Sequence, residues 1–217
     1  MEERGKLKTV EPTEDEIRLR LAAQPPLVIE RPGFQPAAVL VPLFPRDGHW
    51  NVLLTRRTRT VEKHKGEISF PGGHQDPEDA DLSATALREA EEEVGIPGRE
   101  VRILGRLDEI ITLTRFRIRP YAGVIPYPFT VRSSPEEIAE VITLPLIEFQ
   151  TPQRYLKRSF TAEGKDYPVY YYQVAGYIVW GATAKILRQF LERAFLFGEP
   201  KPREPEPPKL SDDWRPL

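Results

Sequence analysis

The chain has no cysteine, so disulfides, thiolate catalysis and cysteine-ligated zinc are excluded together. It has three histidines and one methionine. The scarcity of thermolabile side chains fits a hot habitat. No apolar run approaches the roughly 20 residues needed to cross a bilayer; Ala37 to Phe44 is among the longest. Charge of either sign is not in excess, because 31 Lys and Arg face 33 Asp and Glu for a formal net charge of −2. That balance argues against a nucleic-acid partner, which calls for a basic face. Met1-Glu2-Glu3-Arg4-Gly5-Lys6 has no apolar stretch behind it, which argues against a secretory signal. Arg215-Pro216-Leu217 matches no organelle address. The expectation is a cytoplasmic protein with no membrane partner. At 217 residues the chain fits one fairly large domain with tails.

What is present organises that domain. Residues 1–35 are polar and proline-punctuated, with a short helix expected over Glu14 to Ala23, and read as an N-terminal arm packed on the domain. Ala37 to Phe44 and Trp50 to Thr55 read as a hairpin around Arg46-Asp47-Gly48. Ile68-Ser69-Phe70 is a strand that Pro71-Gly72-Gly73 must end, with a loop to follow. A helix is expected over Leu82 to Val94, stopped by Gly95. Strands are expected over Val101 to Leu107, Asp108 to Leu113, Phe116 to Ile125 and Tyr167 to Val174. Pro135 to Val141 reads as a short helix, and Trp180 to Phe195 as a closing amphipathic one. Residues 36–197 therefore form the domain, and the Pro-, Lys- and Glu-rich residues 198–217 an extended tail.

The helix over 82–94 carries the chemistry. With Glu89 at 0° on a wheel of about 100° per residue, Glu92 falls near 300° and Glu93 near 40°. The three carboxylates share one face, while Leu87, Ala90 and Val94 fall at roughly 100° to 160° and form an anchoring stripe. Like charges at these spacings repel, and a divalent cation relieves the repulsion. Hard oxygen donors suit Mg²⁺ or Mn²⁺. Arg88, four residues before Glu92, is placed to pair with it. A Glu-rich helix face beside an arginine is more often a solvated surface; here the flanking residues decide otherwise.

Those residues are Phe70-Pro71-Gly72-Gly73 and Arg88-Glu89-Ala90-Glu91-Glu92-Glu93-Val94-Gly95-Ile96. Together they resemble the Nudix box, a glycine-initiated loop followed by Arg-Glu-hydrophobic-x-Glu-Glu-x-Gly-hydrophobic. The box departs in its first half, where Gly73 to Arg88 is one residue longer than usual and Asp79 or Glu78 stands at the expected Glu. A preceding segment, Leu53-Leu54-Thr55-Arg56-Arg57-Thr58 with His64, Gly66 and Phe70, is similar to the coenzyme A pyrophosphatase subgroup. So are Ser134 to Val141 with Leu144-Pro145-Leu146, and Trp180 to Leu187. Two positions depart from that subgroup: Glu62 stands where Arg is usual, and Glu67 where Gln is common.

The resemblance implies an α+β fold, an α/β/α sandwich of a mixed sheet and a smaller antiparallel one. It implies hydrolysis of a nucleoside diphosphate linked to a group X, by water attacking phosphorus. Coenzyme A is the first substrate it suggests, and ADP-ribose or a nucleotide sugar the second. Glu89, Glu92 and Glu93, with the Gly73 carbonyl, would hold Mg²⁺ or Mn²⁺. Arg56, Arg57, Lys63 and His64 are the candidates for phosphate contact. Glu89 is the first choice of general base and Glu140 the second, while Glu136 and Glu137 read as an exposed helix face. Trp180 reads as core. A homodimer is implied by the wider family. A nucleotide sensor without catalysis is the reading of another class, and the intact carboxylate triad argues against it.

Overall fold

A computed structural model describes residues 11–58, 66–133, 135–162 and 165–197. The first helix, α1 (Glu14–Ala22), starts at a capping box in which Thr13 and Glu16 satisfy each other's backbone N–H groups. Its Ile17 and Leu21 are buried in the core. β1 (Gln35–Arg46) and β2 (His49–Arg57) form the expected hairpin, turning at Asp47 and Gly48 with φ of 53° and 78°. Two successive positive φ values are what the right-handed twist of a tight hairpin demands.

After β3 (Ile68–Ser69), residues Gly72–His74 form a further strand, β4, where a loop was expected. The helix α2 (Leu82–Val94) has the predicted bounds. Asp81 caps it by accepting from Ser83 and Ala84 N–H, and Gly95 ends it at φ 75°. β5 (Arg102–Arg106), β6 (Ile110–Ile111) and β7 (Phe116–Val124) follow.

The expectation of a helix over Pro135 to Val141 is corrected by β8 (Ile138–Pro145), an eight-residue strand paired with β2 from Asn51 to Arg57. Pro135-Glu136-Glu137 imitates a helix start, but Val141, Ile142 and Thr143 are β-branched and fit a pleated surface better. β9 (Tyr155–Ala162) and β11 (Tyr177–Trp180) were not expected; they flank β10 (Lys165–Val174) in a three-stranded antiparallel sheet. Lys157 and Arg158 interrupt any apolar run in β9, and β11 is four residues long. The last helix, α3 (Gly181–Phe195), begins one residue after the predicted Trp180.

The main sheet runs β3-β2-β1-β7-β5, with β4 also on β1, β8 on β2 and β6 on β7. Only the β1–β7 pairing is parallel among the described strands, so the sheet is mixed. Alternation divides its side chains. Ala38, Leu40, Leu53 and Tyr121 pack under α2, whereas Val41, Leu43, Val52, Leu54, Ile142 and Leu144 pack against α1, α3 and the small sheet. This is the expected sandwich.

β1 changes partners along its length: Ala37–Val39 pair with β4, and Leu43–Arg46 with β2. Between them Leu40 N–H donates to the Pro71 carbonyl at 2.9 Å. N–H groups alternate sides along a strand, so Pro42, which has none, points its nitrogen into the same gap.

The described part of the N-terminal arm is woven into the domain. Trp50 Nε1 donates to Pro12 O at 2.7 Å, and Ile29 N–H donates to the carboxylate of Glu109, which is buried and paired with Arg119. Residues 198–217, the expected tail, lie outside the described residues, as do Glu62, Lys63 and His64. Among the described residues no helix is long and apolar enough to cross a membrane.

Candidate active site

The stripe of Leu82, Ala86, Ala90 and Val94 seats α2 on the sheet and turns Glu89 and Glu93 toward β4 and the end of β2. Leu87, expected in that stripe, is half-buried and packs on Gly98. The loop glycines are sterically required. A Cβ at Gly73 would overlap the Glu89 carboxylate, and one at Gly72 would overlap the Ala38 carbonyl and the backbone of Val39. The loop backbone and the Glu89 carboxylate are thus in contact.

Glu93 is the most enclosed acid of the three, its side chain 5% exposed. Burial pushes its carboxyl up to about 8, against the pull of Arg57. Oε1 lies 3.4 Å from Arg57 Nη1, the Gly72 N–H opposes the rise from nearby, and Oε2 is buried with no hydrogen-bond partner. Burial likewise raises Glu89 above its ordinary range, Arg88 opposing. Glu92 is 59% exposed and turned onto Arg88.

Arg88 ties the box together. Its Nε and Nη2 donate to Asp79 at 3.0 and 3.1 Å, Nη1 donates to Glu89 at 3.1 Å and Glu92 at 2.9 Å, and Nη2 also reaches the His74 carbonyl at 3.0 Å. Asp79, held at about 2 chiefly by Arg88, also accepts from Asp76 N–H and the Thr85 hydroxyl. Of the two acids that sequence offered for the expected Glu, Asp79 is the one engaged with the box arginine. Its oxygens are occupied by donors.

As the side chains lie, no three His, Asp or Glu groups among the described residues surround one point. The donor set nonetheless fits a hard divalent cation: only carboxylate and carbonyl oxygens are offered, one buried carboxylate oxygen has no partner, and burial holds two carboxyls above their usual range.

The remaining predicted residues divide. Arg57 reaches the site. Arg56 does not face it: neighbouring residues of a strand point to opposite faces, and Arg56 meets Glu140 on the side away from α2. Glu140 has the parity of Ile142 and Leu144, so it too faces the small sheet, and its carboxylate is bound by Arg56 and the Tyr177 hydroxyl. Glu137, read from sequence as an exposed helix face, lies close enough to Glu93 for its charge to raise that carboxyl. Its carbonyl accepts from Thr58 N–H at 2.8 Å. The alternation of Ile138, Ile142 and Leu144 was the signal that could have placed it at a strand start. Trp180 is half-buried and stacks on Tyr171, 6.2 Å between ring centroids.

The NUDIX domain model matches residues 33–163. The uncharacterised Nudix hydrolase NudL of Photorhabdus laumondii is 35% identical over 81% of this chain and 94% of its own length. That of Enterobacter sp. strain 638 is 42% identical, covering 70% of this chain and 79% of the relative. Among solved structures, a binary complex of a C. elegans Ap4A hydrolase is 23% identical at a TM-score of 0.45, covering 51% of this chain and 80% of that one. A MutT/nudix family protein from Enterococcus faecalis is 14% identical at 0.48, covering 89% and 70%.

Proposed function

Since the chain belongs to the Nudix family, whose members generally use divalent metals, we propose that it is a Mg²⁺- or Mn²⁺-dependent pyrophosphohydrolase of a nucleoside diphosphate linked to X. Coenzyme A and its derivatives are the first substrates, cleaved to 3′,5′-ADP and 4′-phosphopantetheine. The observation that carries the reading is the pair of enclosed carboxylates, Glu89 against Gly73 and Glu93 against Gly72, with an unpartnered oxygen and raised carboxyls.

Glu89, Glu92, Glu93 and the Gly73 carbonyl would hold the cation. When bound, it neutralises phosphate charge and acidifies water. The protein's own groups do the rest. Arg88 fixes the orientation of Glu89 and Glu92 and is itself fixed by Asp79. Glu89, which lies against Gly73 beside the place assigned to the cation, is the assigned base for the attacking water. Glu140 is not assigned that role, because it faces the opposite side of the sheet. Arg57, and with it Lys63 and His64, meets the charge that develops on the leaving phosphate.

The test is hydrolysis by purified protein in Mg²⁺ or Mn²⁺ at about 5 mM, on the order that fills weak carboxylate sites, with coenzyme A, ADP-ribose and a dinucleoside polyphosphate compared. Release of 3′,5′-ADP in preference to other products supports the coenzyme A reading. Preference for ADP-ribose, which Glu62 in place of Arg would favour, keeps the chemistry and overturns the substrate. Glu93→Gln should lower metal-dependent turnover by about 100-fold or more. Unchanged turnover in that variant would refute the metal-helix assignment.

A further inference from the structure

Arg56 and Arg57 leave β2 on opposite faces, and β8 is adapted to both. The regular β2–β8 register sets Glu140 opposite Arg56, and one position further a β-bulge at Ala139 sets Ile138 opposite Arg57. Bulges beside functional sites re-aim side chains. Here the bulge changes the partner of Arg57 alone, and the regular ladder leaves an acid against the arginine that does not reach Glu93.

Glu140 is held from two sides. One oxygen pairs with Arg56, and Oε1 accepts the Tyr177 hydroxyl at 2.7 Å. Tyr177 belongs to β11, so the chain of contacts runs from the small sheet to the main one. An isolated surface ion pair contributes little and samples many rotamers. A third member from another sheet restricts those rotamers before any ligand arrives. Arg56 nevertheless keeps 45% of its side chain exposed, and a guanidinium has five N–H donors, more than one carboxylate oxygen takes up. It also lies next to the box loop: its β3 partner is Ile68, and Phe70-Pro71 leads from there into Gly72-Gly73.

We propose that Tyr177 and Glu140 are positioning residues that hold Arg56 ready for an anionic oxygen of the nucleotide at the end of β2. The inference rests on the hydrolase reading. Arg57 then serves the diphosphate at the carboxylates, while Arg56 meets a part of the substrate lying round the strand end. Tyr177 acts only through Glu140.

The experiment compares Tyr177→Phe, Arg56→Ala and the double variant. Steady-state hydrolysis of coenzyme A is read alongside calorimetric affinity for ADP without metal. Tyr177→Phe should raise KM about three- to tenfold at unchanged kcat, and weaken ADP by a similar factor, as expected for a lost charge-assisted hydrogen bond acting at one remove. In the Arg56→Ala background the same substitution should have no effect. Unchanged KM and ADP affinity, an equal effect in both backgrounds, or a fall in kcat alone would overturn the positioning role. If the parent protein hydrolyses nothing while Tyr177→Phe still weakens ADP, the hydrolase reading fails and the positioning role stands.

Discussion

Gly72 and Gly73 are adjacent, yet alanine at each should fail in a different way. At Gly73 the nearest atoms to the added Cβ are the end of a side chain, Glu89 Oε1 standing 2.4 Å away. Ordinary contact begins at 3.4 Å, so Glu89 must retreat by about 1.0 Å. A flexible carboxylate can do so, and Gly73 does not need a positive φ; stability should change by less than about 2 kcal/mol. Activity should not be spared, because a displacement near 1 Å in a catalytic group costs on the order of 100-fold. At Gly72 the obstacle is backbone, the Ala38 carbonyl and the Val39 Cα. Relief there requires β1 and β4 to separate, at more than about 3 kcal/mol, which lowers Tm by at least about 6–12 °C. Thermal melts and metal-dependent hydrolysis on the two variants decide the matter. Gly73→Ala within threefold of parent activity, or melting as early as Gly72→Ala, would refute the placement of Glu89 against the loop.

Asp79→Asn should cost about 1.5–3 kcal/mol at neutral pH, or about 3–12 °C in Tm, by removing charge-assisted bonds to Arg88. The Asp79 carboxyl is lowered in the folded state from 3.8 to about 2, so its stabilisation is complete above pH 3.8 and lost as pH falls through 2. Denaturant titrations should therefore show the parent–variant difference vanishing near pH 2, and a difference that stays constant down to that pH would refute the pairing. Ile17→Ala, at a fully buried position of α1, should cost about 2–5 kcal/mol. A loss below about 0.5 kcal/mol in urea unfolding would show α1 to be an appendage rather than part of the core.

The parts legible in the sequence were those fixed by local chemistry. Helix formers fill residues 82–94 and Gly95 stops them with a left-handed residue, so the bounds of α2 followed from the sequence alone. Asp47-Gly48 specified the hairpin for the same reason. What escaped depends on partners distant in sequence. Residues 138–145 form a strand because β2 lies beside them, and the Ser-Pro-Glu-Glu start suggested otherwise. β9 has its register set by β10 rather than by an apolar run of its own. The separation of Arg56 from Arg57 was available in principle, since a strand over 50–55 continued by two residues sends them to opposite faces. Which face held the carboxylates depended on where α2 packs, and that is a tertiary fact.

Pro42 gives the sheet a discontinuity with consequences beyond its own strand. A β1 that offered an N–H at every position toward β2 and β4 would present an edge on which one strand could zip from end to end. The missing donor interrupts that edge midway. β2 and β3 stay on one side of the interruption, β4 on the other, and Phe70-Pro71 crosses between them with the Leu40 bond as its tether. The backbone that passes beneath Glu89 and Glu93 is thereby held out of a continuous ladder. A side chain that makes no hydrogen bond of its own shapes the loop on which the carboxylates close.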